Sequence, residues 1–310
     1  MAGAEGFEPS ALGFGDRCSD QTELRPYRPK PNSTQPVRSR HDRPRTPHVW
    51  RQTGGTAGNQ GRVWRQKGAL AADDLPVLIV GDVHGDIERL FQALKPYPPD
   101  QWHTVFLGDL VDYGMFGAGA LRYARDRPNS SVLLGNHEVA LLWALRDRTR
   151  LGWWISIGGQ LHDFEEIAKD SAIQTWLRDG PALMKLRDGT LVQHCGLDGY
   201  SRWFDKNADP IAMVNSNVHE LLNNDGEAEL WDVLSAKNVF AQQPLRLREY
   251  LQATHCRRVV FGHTPHHSRE PEVYHDGLAI NFDGAFSRSH RHHAGMSPIS
   301  ASVAPLNFLS

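Results

Sequence analysis

The chain has 310 residues, 40% hydrophobic and 23% charged, enough to bury a full core in one large domain or a domain with a tail. With 34 Lys and Arg against 36 Asp and Glu, the formal charge is -2, so no global basic field draws it to nucleic acid or an anionic membrane. Three cysteines, Cys18, Cys195 and Cys256, exclude a disulfide framework, and no apolar run approaches the roughly 20 residues that span a bilayer. A cytoplasmic protein is expected.

Residues 1–70 are dominated by Pro, Arg, Gly, Gln, Ser and Thr, with basic stretches such as Arg25 to Pro31 and Arg38 to Arg45. Without apolar periodicity, such a segment cannot offset the entropy of ordering, and disorder is expected. It carries the chain's only nucleic-acid signal, and a solvated tail is the simpler reading. The stretch Ala4 to Ser10 also looks like upstream sequence translated from a start placed too early, which would put the true start near residues 60–75.

From Pro76 the pattern changes. Val77 to Val80 is a continuous apolar run closed by Gly81, the mark of a strand buried on both faces. Asp86 to Lys95 then places Ile87, Leu90, Phe91 and Leu94 at helical spacing, with Pro96 as the stop. The cycle repeats: a strand at Thr104 to Leu107 and a helix at about Ala118 to Arg125, then a strand at Ser131 to Leu134 and a helix from about Glu138 to Arg146. Such a series predicts an α/β sheet whose strand ends face one crevice. Residues 150–180, with Trp153, Trp154 and Trp176, read as a helical insertion whose tryptophans pack. A hairpin is expected from Leu183 to Gln193 around Asp188-Gly189, placing His194 at a strand end. Helix follows over about 211–253, then strands at Arg258 to Phe261 and Leu278 to Phe282. The expected division is an extension over 1–70, a catalytic domain over 71–289 and a C-terminal tail over 290–310 that could hold a final strand.

Five short blocks carry the chemistry: Gly81-Asp82-Val83-His84-Gly85-Asp86, Gly108-Asp109-Leu110-Val111-Asp112, Gly135-Asn136-His137-Glu138, His194 and Gly262-His263-Thr264. Residues two apart in extended chain point the same way, so Asp82 and His84 are read as ligands on one face. Asp109 is the candidate carboxylate to bridge two ions, which lie about 3.5–4 Å apart in such sites. Asn136 offers a carbonyl oxygen, and His194 and His263 offer imidazoles. This donor mixture suits two divalent ions, manganese ahead of iron, zinc or magnesium, and suits calcium poorly. His137 follows Asn136 and should point elsewhere, so it is assigned to protonating the leaving oxygen, with Asp112 orienting its ring. Glu138 is expected to start a helix or support the site.

These blocks resemble the calcineurin-like metallophosphoesterase superfamily, nearest its phosphoprotein phosphatase branch, whose pattern is GDxHG, GDxVDRG, GNHE, a His-Gly-Gly segment and a late His. The resemblance covers about residues 76–285 and implies a four-layer αββα sandwich. By that analogy Asp82, His84 and Asp109 hold one ion, and Asp109, Asn136, His194 and His263 the other. Two departures stand out. Tyr113 replaces the arginine of GDxVDRG, removing a guanidinium that would fork onto phosphate oxygens, with Arg202, Arg246 and Arg248 the nearest candidates to compensate. Cys195 follows His194 where a glycine is usual, a small buried residue or a redox-sensitive one. His266, His267, His290, His292 and His293 are read as a solvated stretch rather than an adventitious metal tail, and Asp283 as structural ahead of a supporting role at the site.

The implied activity is hydrolysis of a phosphorylated substrate by a water activated between two ions, without a covalent phosphoenzyme. A Ser/Thr-type protein phosphatase or small-molecule phosphomonoesterase leads. A dinucleoside polyphosphate hydrolase or phosphodiesterase is the alternative, favoured by Tyr113. An inactive metal-binding or phosphate-binding scaffold is the reading from another class, disfavoured by the complete ligand set.

Overall fold

In the computed structural model, which describes residues 75–224, 227–290 and 297–307, the short apolar runs become strands. The reading of 1–70 lies outside those residues, as do His292 and His293. The first half alternates β1 (Val77–Val80), α1 (Ile87–Leu94), β2 (His103–Phe106), α2 (Gly117–Asp126), β3 (Ser130–Val132) and α3 (Asn136–Arg146). Three short helices follow, α4 (Leu151–Ser156), α5 (Leu161–Ile167) and α6 (Ser171–Arg178), then the hairpin β4 (Leu183–Lys185) and β5 (Thr190–Gln193). Helices α7 (Pro210–Asn223), α8 (Glu227–Leu234) and α9 (Pro244–Ala253) precede β6 (Arg258–Phe261), β7 (Glu272–Tyr274), β8 (Ala279–Asn281) and β9 (Val303–Pro305).

The strands form two sheets, ordered β3-β2-β1-β9 and β4-β5-β6-β8-β7. In the first, β1 pairs parallel with β2 and β2 with β3, the crossovers running through α1 and α2. Strand β9, from the segment read as a tail, closes the edge antiparallel to β1, with Ile79 opposite Ala304. In the second, β5, β6 and β8 are parallel, flanked by antiparallel β4 and β7.

Period-two alternation explains the layering. Ile79 and Val105 of the first sheet, with Leu107 just after β2, share one buried cluster with Val192, Val260 and Ile280 of the second, so the sheets stack face to face. Their strand neighbours Leu78, Val80, Phe106, Leu191 and Val259 join a separate cluster with helical residues such as Leu90, Leu121, Val214 and Leu247. The result is a mixed α/β sandwich with helices outside two sheets. Truncating Ile79 to Ala, at 0% exposure, would leave a cavity between the sheets costing about 2–5 kcal/mol.

Local departures from the sequence reading have local causes. Helix α3 starts two residues before Glu138, because Gly135 caps it and its N–H is accepted by the Glu138 side chain at 3.0 Å. Strand β7 was not expected: it is a three-residue edge strand whose only aliphatic side chain, Val273, is exposed. In the insertion, Trp154 is fully buried against Phe164, and Trp153 lies between Trp143 and Trp231 at 6.3 and 5.1 Å, so these rings pack as expected.

Candidate metal centre

Gly81, Gly108 and Gly135 follow the first three strands, and the loops they open are tied to one another. The Val83 and His84 N–H groups both donate to the Asp109 carbonyl at 2.9 Å, and the Gly85 N–H donates to the Leu110 carbonyl at 2.8 Å. This corrects the extended-chain argument for Asp82 and His84. Strand β1 stops at Val80, and His84 has φ of 46°, so inter-loop hydrogen bonds rather than strand alternation bring the pair to the centre. Approach is close throughout. A Cβ on Gly108, whose φ is +101°, would lie 2.5 Å from the Gly135 nitrogen, and one on Gly262 would lie 2.3 Å from Asp82 Oδ1.

Among the described residues, ten that are not glycine have positive φ, and His84, Asp109, Asp112, Tyr113 and His263 are five of them. Each such conformation costs on the order of 1 kcal/mol and persists only where surrounding contacts enforce it. Glu138 supplies much of that enforcement. Its buried carboxylate accepts from the N–H groups of Asp109 at 2.8 Å, Leu110 at 2.7 Å and Gly135 at 3.0 Å. The sequence reading offered a helix start or a supporting role, and the side chain does both.

The imidazoles are oriented by what their far nitrogens touch. His84 Nδ1 lies 3.0 Å from the Val111 carbonyl and His194 Nδ1 lies 2.8 Å from the Leu107 carbonyl. A carbonyl only accepts, so both Nδ1 atoms carry hydrogen, and Nε2 is the atom each ring turns toward the centre. Those Nε2 atoms face Asp109 Oδ2, at 3.9 Å from His84 and 3.4 Å from His194. Asn136 Oδ1 lies 3.0 Å from His194 Nε2. Within 4.8 Å of one another stand three donor groups: His84, Asp109 and His137; Asp82, Asp109 and His194; and His194, Cys195 and His263. Asp109 belongs to two of them. The His263 N–H also donates to Asp82 at 3.0 Å, joining the second sheet to the first.

Electrostatics favour a cation. Burial, reinforced by Asp283 and Asp109, pushes the Asp82 carboxyl well above its ordinary range. Burial likewise raises Glu138 and Asp283 to about 7, with the Asp109 charge contributing to both. Asp109 moves the other way: burial opposes its charge, but His194 and His137 hold it well below the usual value. Four carboxyl groups crowded into one buried space are what divalent cations relieve, and the oxygen and imidazole donors fit such ions.

His137 diverges from Asn136 as expected. Its Nδ1 lies 2.6 Å from Asp112 Oδ2, its Nε2 is 3.9 Å from Asp109 Oδ2, and its backbone N–H donates to Asp109 Oδ1 at 3.0 Å. Burial works against the charged ring, but Asp109 and Asp112 overcome it and raise the imidazole to about 9. Burial also lifts Asp112 to about 6 against the pull of His137.

A model of calcineurin-like phosphoesterases matches residues 75–267, the span that holds Asp82, His84, Asp109, Asn136, His137, His194 and His263. The chain belongs to that family. It is therefore a metallophosphoesterase, a phosphoester hydrolase. Among solved structures it is similar to a cold-active protein tyrosine phosphatase, 19% identical over 75% of this chain and 79% of that one, with a TM-score of 0.53. It is also similar to the cold-active protein-tyrosine phosphatase of a psychrophilic Shewanella species, 19% identical over 75% and 80%, with a TM-score of 0.51. These likenesses are of fold. No curated protein gives a significant sequence match.

In this phosphoesterase the arginines proposed to replace the one missing at Tyr113 are engaged or exposed elsewhere. Arg246 Nε donates to Asp198 at 2.9 Å, Arg202 Nε donates to the Gly199 carbonyl at 3.0 Å, and Arg248 is exposed on α9. Cys195 is fully buried and donates to the Leu234 carbonyl at 2.8 Å, and burial pushes its thiol well up, so it is a packed thiol rather than a reactive one. Asp283 faces the site electrostatically, and among the described residues its Oδ2 has no hydrogen bond. The histidines read as a solvated stretch divide: His267 is exposed, but His266 is 5% and His290 8% exposed. His290 meets His84 and Tyr113. No local pattern marks it, because it approaches from some 200 residues away in sequence.

Proposed function

We propose that this protein hydrolyses phosphomonoesters at a dinuclear centre, on a Ser/Thr-type phosphoprotein or a small phosphorylated molecule. Asp82, His84 and Asp109 hold one ion, and Asp109, Asn136, His194 and His263 hold the other, with manganese best matched to the mixed donors. One observation carries the reading: the Nε2 atoms of His84 and His194 converge on Asp109, which belongs to two donor groups. When bound, two such ions supply an activated water for in-line attack on phosphorus and offset the charge of the phosphoryl oxygens.

The protein's own part is positioning and proton transfer. The N–H bonds to Glu138 hold the Asp109 loop, and the α3 N-terminus presents Asn136 and His137 side by side. Asp112 keeps hydrogen on His137 Nδ1, so Nε2 donates its proton to the departing oxygen. The catalytic domain begins near residue 71, and the pairing of β9 with β1 supports extending it beyond residue 289. Among the described residues no helix is long and apolar enough to cross a membrane, which is compatible with the cytoplasmic reading. The phosphodiester or dinucleoside polyphosphate alternative is favoured by Tyr113, since a phosphodiester has less charge to neutralise than a monoester.

Manganese-loaded protein assayed on an aryl phosphate, an aryl phosphodiester and a dinucleoside tetraphosphate tests the proposal. Turnover greatest on the monoester is expected. Turnover on the tetraphosphate or diester alone would transfer the assignment to the alternative, and none on any ester would leave the scaffold reading.

A further inference from the structure

A fourth ring, that of His290, stands against the centre beside those of His84, His137 and Tyr113. His290 has ring centroids 4.5 Å from both His84 and Tyr113, and Tyr113 lies 4.9 Å from His84 and 5.4 Å from His137. The four rings thus make one wall beside Asp109 and Asp112. Tyr113 is set in that wall by its φ of 59°, by donating its N–H to the Gly158 carbonyl at 2.8 Å, and by packing its ring on Gly158.

The segment that delivers His290 is tied down at several points. Arg288 grips both oxygens of Asp86, Nε at 2.9 Å and Nη2 at 2.7 Å, and its backbone N–H adds a third bond at 3.0 Å. Nη2 also reaches Glu88 at 3.0 Å. Ser287 Oγ donates to the His84 carbonyl at 3.2 Å. Asp86 in turn caps α1 by accepting the Arg89 N–H. The segment is therefore fastened to the loop that carries Asp82 and His84 and to the start of α1. So many bonds to place one buried imidazole exceed what packing needs, since an aliphatic side chain would fill the same space without a polar ring to satisfy.

We propose that His290 is a substrate-contacting residue, its imidazole donating to a phosphoryl oxygen of the bound monoester, with Tyr113 as the platform that orients the ring. This rests on the phosphomonoesterase reading above and adds a binding residue outside its ligand set. Arg288 is then a positioning residue acting through His290.

Calorimetry with inorganic phosphate on manganese-loaded protein, run beside aryl phosphate kinetics and metal analysis, tests this. His290→Ala should weaken phosphate binding and raise KM by about ten-fold or more, the loss of one hydrogen bond to a charged group, with metal content unchanged and kcat moved much less. His290→Asn, which keeps an N–H donor, should recover most of that loss. Arg288→Ala, which leaves the imidazole in place but loosens it, should shift both constants the same way by a smaller factor. Unchanged phosphate affinity in His290→Ala overturns the proposal. So does a loss that follows metal content, because His290 would then only brace His84. The two readings fail separately: His290-dependent phosphate binding without turnover on any ester sinks the hydrolase reading alone, and turnover indifferent to His290 sinks the contact alone.

Discussion

The two sheets supply the centre in different ways. Loops after β1, β2 and β3 bring Asp82, His84, Asp109, Asp112, Asn136 and His137, all within a 56-residue span, and four of the site's five positive-φ residues are among or beside them. The second sheet brings His194 and His263, separated by 69 positions and three helices, with the Asp283 carboxylate following β8. Support differs in kind as well. The first-sheet loops hang on the buried carboxylate of Glu138, whereas the loop after β5 is held by neutral Gln193, whose Nε2 donates to the Leu197 carbonyl at 2.8 Å while its Oε1 accepts from Tyr250. The first half supplies most of the candidate donors on strained loops held by a charged group, and the second adds two imidazoles on loops held by neutral groups, with His263 alone at positive φ.

That contrast can be broken at several points. Asp109→Ala, which removes the carboxylate shared by two donor groups, should abolish turnover and strip metal, read by assay and metal analysis. His137→Ala should lower kcat by about 10²–10⁴-fold, the worth of a positioned acid, with metal content intact. Retained kcat in His137→Ala on every substrate would falsify the acid assignment. Glu138→Ala leaves three buried N–H groups without their acceptor and should cost about 3–5 kcal/mol in denaturant unfolding, as when one partner of a buried charge is removed. Gln193→Ala should cost only about 1–2 kcal/mol, since neutral bonds are lost. Equal losses for these two would dissolve the distinction between the halves.

The smallest effect lies at the β4–β5 turn. Burial opposes the Asp188 charge, but the Thr190 N–H and the Arg257 guanidinium hold its carboxyl below the ordinary range. A lowered native value means the stabilisation is full above the unfolded value of about 3.9 and fades as pH falls through the native one. Asp188→Asn should therefore lose stability at pH 7, by at most about 1 kcal/mol for so exposed a pair, and the gap from wild type should narrow near pH 3 in urea unfolding.

The same contrast governs what could be read from residue order. The first-sheet blocks were legible because each is local: an apolar run, a glycine and a ligand within a few positions. His194 and His263 were legible only through the strands before them, and β7 was not, since an edge strand with one exposed aliphatic residue carries no periodic signal. Reading Asp82 and His84 as neighbours on an extended strand missed the local geometry, because sequence periodicity cannot register a loop at φ of 46° held by another loop's carbonyl.

Sequence alone determined the strand-glycine-ligand units, the layered α/β class and the reaction family, because short-range patterning and donor chemistry are written along the chain. Tertiary structure alone decided that Glu138 holds the Asp109 loop, that His84 and His194 present Nε2, and that His290 joins the wall beside Tyr113. Each of those depends on which distant carbonyl, N–H or ring a side chain meets once the sheets have stacked, and burial then gives such meetings their energy.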